Sequence, residues 1–189
     1  MNQVNLKLNI GCGFDKMPGY VNIDKMSDCK PDMVVDLEGP WPFAENSVIE
    51  IKASHILEHL GAATDVFLNI MKEIYRVCAD GAQIHIQVPH HEHWTFHSDP
   101  THVRKILPET FKLFDQKENR FHIENKHANT PLGIYCAVDF VLERATPYYD
   151  EPWGERIKNG LVTNYDLNFS GQHYNNVIYQ WDILLRVRK

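Results

Sequence analysis

No run of this 189-residue chain is long and apolar enough to cross a bilayer, and Met1 to Asn5 are polar with no leader pattern. A membrane protein is excluded on that reading, and a cytoplasmic location is expected. Basic residues do not dominate: the net charge is −6, so no general affinity for nucleic acid is expected. Cysteine is sparse and unpatterned. Cys12, Cys29, Cys78 and Cys136 lie far apart with no Cys-x-x-Cys, which points to reduced thiols rather than a disulfide framework. Internal repeats and low-complexity segments are missing too. What remains is ordinary for a globular protein, 43% hydrophobic and 23% charged, and the length favours one domain, 1–189, with a sizeable core. Histidine is the exception. There are 11, and five of them fall between His90 and His102.

Leu6, Leu8 and Ile10 form a short apolar run that ends in Gly11-Cys12-Gly13. That pattern predicts a buried strand running into a tight turn whose backbone a ligand can approach. Tyr20 to Ile23 is the second strand, closed by Asp24. Only Gly11 to Gly19 separates the two, and this stretch carries Pro18-Gly19, so the first crossover helix shrinks to a turn or loop. Met33 to Val35 is the third strand and ends at Asp36-Leu37. Val48 to Ala53 is the fourth, and Ser54 to Leu60 then turns into a short helical segment.

Ala63 to Val77 carries Val66, Phe67, Ile70, Met71, Ile74 and Val77 at helical spacing. Gln83 to Val88 alternates and is the fifth strand. His90 to His102 reads as a loop, Pro108 to Phe114 as a short helix and Gly133 to Arg144 as strand six. Thr146 to Ser170 reads as aromatic and irregular, and Val177 to Val187 as the last strand. The expected fold is α/β: a Rossmann-like, doubly wound sheet of seven strands, mostly parallel, with a terminal antiparallel hairpin.

Five stretches in order carry a resemblance. They are Leu8-Asn9-Ile10-Gly11-Cys12-Gly13, Tyr20-Val21-Asn22-Ile23-Asp24, Asp36-Leu37, Trp41-Pro42-Phe43 and Ser54-His55-Ile56-Leu57-Glu58-His59-Leu60. Together they resemble the class I S-adenosylmethionine-dependent methyltransferases, across residues 5–90. The resemblance implies S-adenosylmethionine as cofactor, with 5–90 as the cofactor-binding half and 90–189 as the acceptor-binding half. It implies that Gly11, Cys12 and Gly13 pass the methionine moiety and that Asp24 takes the ribose hydroxyls. A carboxylate can accept two bonds from a vicinal diol. Asp36 and Leu37 would contact the adenine, and Ser54 and His55 would line the pocket. Asp24 also reads as a turn acid and Asp36 as a loop cap. Cys12 reads as a pocket wall, since no histidine or acid adjoins it in sequence.

His55, Glu58 and His59 sit at i, i+3 and i+4, one face of a helix if this piece is helical. Imidazole and carboxylate so placed can chelate a divalent metal. With His102, which precedes Phe111 at a suitable distance, the set resembles metal-dependent methyltransferases of the same fold, the small-RNA 2′-O-methyltransferases and the ubiquinone-pathway O-methyltransferases. The former carry Glu-x-x-Glu-His after strand four. Glu58, His59 and His102 match, but His55 stands where the first Glu would be. His55, Glu58, His59 and His102 would suit zinc, manganese or iron better than magnesium. Leu-Glu-His-Leu also occurs in methyltransferases without metal, where Glu58 and His59 are helix-terminal hydrogen-bonding groups. Between these readings, His59 or His102 acts as the catalytic general base without metal.

The expected activity is methyl transfer from S-adenosylmethionine to a small-molecule or sugar acceptor, with O-methylation favoured. The aromatic 146–170 region is a candidate acceptor cover or homodimer interface, and otherwise a second small core. A non-catalytic cofactor-binding or partner-binding protein on the same fold is the alternative. A nicotinamide-dependent oxidoreductase is disfavoured by the missing third glycine after Gly13 and the short first crossover.

Overall fold

The computed structural model describes residues 5–189. Its strands are β1 (Leu6–Ile10), β2 (Val21–Asp24), β3 (Met33–Val34), β4 (Val48–Ser54), β5 (Cys78–Pro89), β6 (Phe140–Tyr149) and β7 (Ile178–Val187). They form one sheet in the order β3-β2-β1-β4-β5-β7-β6. The first five pair in parallel. β7 lies antiparallel between β5 and β6, which is the expected terminal hairpin.

The register puts Leu8, Ile51, Ile84 and Leu185 in one row, and Ile10, Ala53, Ile86 and Ile183 in the next. All eight are buried. The helix α1 (Thr64–Val77) adds Phe67, Ile70, Met71, Ile74 and Val77 to the same core. Each such side chain contributes about 1.5–3 kcal/mol on burial. The loop at Trp41 to Phe43 is clamped by α1: Glu73 accepts from the Trp41 amide at 2.7 Å, and Arg76 donates to the Phe43 carbonyl at 2.8 Å.

The intervening residues form the other face of the sheet. Lys7, Glu50, Gln83 and Arg186 make one row, and Asn9, Lys52, His85 and Leu184 the next. That face is polar, and the connections on either side of β2 carry no α-helix to pack on it. The β1–β2 connection carries no helix, as its proline and glycine predict, and β2–β3 has a single 3-10 turn at Ser27–Cys29. Loop backbone closes over the buried amides instead: Asn9 donates to the Asp15 carbonyl at 2.9 Å, and Asn22 accepts from the Met17 amide at 2.8 Å.

The second half departs from the sequence reading in three places. Gly133 to Arg144 is not one strand. Leu132–Tyr135 is a helical turn, Ala137 has a φ of +53°, and β6 starts at Phe140. A short apolar run does not by itself distinguish strand from helix. β6 then continues through Pro147, which an edge strand tolerates. Thr146 to Ser170 is not irregular either. After β6 come the helices Trp153–Lys158 and Asn164–His173, the latter opened by a capping box between Thr163 and Asp166. The His90 to His102 stretch contains a short helix, Trp94–Ser98, capped by His93. His93 Nε2 lies 2.9 Å from Asp150 Oδ2, so this buried histidine ties the stretch to the end of β6.

His90 is buried, and its Nδ1 accepts from the Glu92 amide at 3.2 Å. Burial, reinforced by His91, pushes its pKa down to about 4. An unfolded His90 titrates near 6.5, so between these values the unfolded chain binds the extra proton. The stability contributed by neutral His90 is therefore complete above 6.5 and lost as pH falls toward 4. Urea titrations of chelator-treated protein should lose about 3 kcal/mol across that window through this group. His90→Gln should flatten the slope; an unchanged slope would remove His90 as its source.

Candidate functional site

β1 runs into Gly11, whose φ is +63°. A β-carbon there would sit 2.4 Å from Ile56 Cγ1. Glycine therefore allows both the left-handed turn and the close approach of the segment after β4. Beside this turn lies a cavity of about 330 Å3 at the carboxyl ends of the parallel strands. Val35, Leu37, Ile56 and Leu60 supply apolar walls, Asp24, Lys25 and Asp36 supply charge, and His59 and Thr101 complete the lining.

Asp24 is oriented by its own backbone surroundings. Its Oδ2 accepts from the Gly13 amide and its Oδ1 from the Met26 amide, each at 2.8 Å. Each oxygen keeps a further lone pair for a ligand hydroxyl. Cys12 is buried beside it, and burial, with Cys29 next, pushes its thiol up to about 11. A thiol so protonated is a wall rather than a nucleophile.

The second feature is a buried carboxylate. Glu58 is 1% exposed, and neither carboxylate oxygen has a hydrogen-bond partner. Glu58, His59 and His102 each bring one ligand atom within 4.8 Å of the other two. The backbone explains the meeting. The Glu58 carbonyl accepts from the Val103 amide at 2.8 Å and the Arg104 amide at 3.1 Å, which staples the 102–104 loop onto the 3-10 turn Leu57–His59. Gly61 has a φ of +66°, and a β-carbon there would lie 2.6 Å from Phe67 Cβ, so this turn runs directly against α1. His102 Nδ1 lies 2.8 Å from the Phe96 carbonyl, which can only accept, so Nε2 carries the lone pair.

His55 does not join that group on a shared helical face. It precedes the turn with a φ of +51° and lies outside the three-residue cluster. Its Nδ1 is 3.4 Å from Glu58 Oε1, an ion-pair distance, and its Nε2 is 3.1 Å from Gln180 Oε1. The neighbouring Glu58 carboxylate holds its pKa above the ordinary imidazole range.

Of the sequence-derived cofactor residues, Gly11, Asp24, Asp36 and Leu37 line the cavity. Cys12 and Gly13 lie behind Asp24. Ser54 is elsewhere: its hydroxyl meets Gln87 at 2.9 Å, and it lines a separate polar cleft with Lys52 and His85. Lys25, Val35, Ile56, Leu60 and Thr101 were not singled out from the sequence. Lys25, Val35 and Ile56 each adjoin a residue that was, so reading the strand-end segments as three-residue stretches would have found them.

No protein-family model and no curated protein matches the chain. Solved structures do. A SAM-dependent methyltransferase from Archaeoglobus fulgidus is 15% identical, with 96% of this chain and 86% of that one aligned at a TM-score of 0.60. A putative methyltransferase from Haloferax volcanii, solved with its Trm112 activator, is 10% identical over 99% of this chain and 84% of the other, with a TM-score of 0.58. The cyclase SpnF is 14% identical over 99% and 77% of the two chains, with a TM-score of 0.54. The last of these shows one fold hosting different chemistry, so reaction must be argued from the site. In its seven-stranded sheet with a terminal antiparallel hairpin, this chain has the α/β fold of the S-adenosylmethionine-dependent methyltransferases.

Proposed function

We propose that this chain is an enzyme that transfers the methyl group of S-adenosylmethionine to a hydroxyl oxygen of a small-molecule or sugar acceptor, assisted by a divalent cation held by Glu58, His59 and His102. The observation that carries the reading is Glu58, buried with neither oxygen hydrogen-bonded and only the His55 imidazole at ion-pair distance, 3.4 Å from Oε1, beside a histidine that lines the cavity. A carboxylate in that state is costly unless something positive joins it. Two imidazoles and one carboxylate form a donor set suited to zinc, manganese or iron. Glu58, His59 and His102 replace the four-residue set read from the sequence, and His55 becomes an outer partner of Glu58.

Asp24 has free lone pairs for the ribose hydroxyls, and Val35 and Leu37 offer an apolar slot for adenine beside Asp36. Gly11 gives the backbone approach that the methionine moiety needs. The cofactor supplies an electrophilic methyl group, so the chain's task is to align the acceptor and exclude water. A cation at Glu58, His59 and His102 would lower the pKa of an acceptor hydroxyl. Tyr148 and Tyr179, with ring centroids 6.1 Å apart on the terminal hairpin, present planar surface for a sugar face at this end of the sheet.

Calorimetric titration of metal-stripped protein with S-adenosylhomocysteine, repeated with zinc, manganese and magnesium, tests the reading. Binding of the nucleoside together with a separate zinc or manganese step is expected. Nucleoside binding without any metal step would replace the cation by a general base at His59 or His102. If no nucleoside binds, the enzyme reading falls and a non-catalytic protein on this fold remains.

A further inference from the structure

We infer that Asp99 and Thr101 are positioning residues, which lock His59 in the tautomer that leaves its Nε2 unprotonated. The inference rests on the proposed function only for the use made of that lone pair. Thr101 Oγ1 lies 2.6 Å from Asp99 Oδ1, and the Thr101 amide lies 2.8 Å from the same oxygen. An ionised carboxylate only accepts, so the one hydroxyl proton of Thr101 points at Asp99. His59 Nδ1 lies 2.9 Å from the same hydroxyl oxygen, which has only lone pairs left on that side. His59 Nδ1 must therefore carry the ring proton and donate it. A neutral imidazole has a single N–H, so Nε2 is left as an acceptor.

His102 reaches the same state by another route, since its Nδ1 donates to the Phe96 carbonyl at 2.8 Å. The two rings lie with centroids 4.6 Å apart, edge to face, next to Glu58. Both rings thus keep an Nε2 lone pair within the group that Glu58 completes, and His102 Nε2 also lies 3.9 Å from Asp99 Oδ2. Asp99 and Thr101 have no place among the ligand atoms. Their part is the one that outer partners play for metal-binding histidines, fixing tautomer and ring orientation. Thr101 also lines the cavity with His59.

The test observes the tautomer directly. Metal-free protein labelled with nitrogen-15 in histidine is examined by long-range proton–nitrogen correlation NMR at a pH where the rings are neutral. His59 should show a protonated Nδ1 and an unprotonated Nε2. Thr101→Val removes the acceptor and should move His59 toward the Nε2–H form; zinc affinity, measured separately, should fall about 10- to 100-fold. Thr101→Ser keeps the hydroxyl and should restore both readouts. Asp99→Ala, an exposed change, frees the Thr101 proton to point at His59 and should shift the tautomer in the same direction. Wild-type His59 with Nε2–H, or a tautomer indifferent to Thr101→Val, overturns the inference. A correct tautomer pattern in a protein that takes up no zinc would uphold the positioning roles and remove the cation from the proposed function.

Discussion

Asp24→Ala should weaken binding of S-adenosylhomocysteine by about 100-fold or more. Hydrogen bonds to a charged acceptor are worth about 1.5–3 kcal/mol each, and a ribose diol makes two. At 1.4 kcal/mol for each factor of ten, even the low end exceeds two orders of magnitude. The carboxylate also accepts from the Gly13 and Met26 amides, so its loss loosens the turn after β1 and the segment after β2 together. Asp24→Asn separates these contributions. An amide oxygen can still accept from one hydroxyl and one backbone amide, so its affinity should fall between wild type and alanine. Calorimetry gives all three values. Equal affinity in wild type and Asp24→Ala would place the ribose elsewhere and withdraw β2 as the cofactor strand.

The sheet was legible in the sequence, as was the placing of Gly11, Asp24, Asp36 and Leu37 around one cavity, because both depend on local pattern. Period-two alternation in Gln83 to Val88 follows from one apolar and one polar face, and those are the faces that the register builds. The loss of the first crossover helix was legible in Pro18-Gly19. The helices of the hairpin excursion were not read, although Thr163 and Asp166 spell a capping box; nor was the helix Gln116–Glu124 before β6, which Asp115 caps by accepting from Lys117 at 2.7 Å. Aromatic content masked those signals. Ser54 illustrates a different limit: one residue along a strand end turns a side chain to the opposite face, and spacing alone does not settle which. The histidine cluster shows a third. His59 and His102 are 43 positions apart in the chain, and what joins them is a pair of backbone bonds to the Glu58 carbonyl that no sequence pattern announces. His55 was grouped with Glu58 and His59 by helical spacing; a left-handed φ at His55 breaks that spacing and, of that group, leaves it only its contact with Glu58, at 3.4 Å.

Glu58→Met should raise the stability of the metal-free protein while abolishing its response to metal. Methionine nearly conserves the volume and carries no charge or strong acceptor, so it removes two buried oxygens that make no hydrogen bond. Relief of such a group is worth about 1–3 kcal/mol, which for a chain of this length corresponds to a melting temperature higher by roughly 2–10 °C. In the wild type, a cation that binds only the folded state should raise stability by about 2.7 kcal/mol at a hundredfold excess over its dissociation constant. The two effects oppose each other. Chelator-treated Glu58→Met should melt above chelator-treated wild type, and zinc should raise the wild type alone. That pairing distinguishes a functional carboxylate from a structural one. If His55, 3.4 Å from Oε1, were the partner that Glu58 is folded around, the substitution would leave an ion pair broken and the variant would melt lower. A lower melting temperature in chelator would thus make Glu58 a structural anchor of the turn, and His59 would then act as a base on its own lone pair.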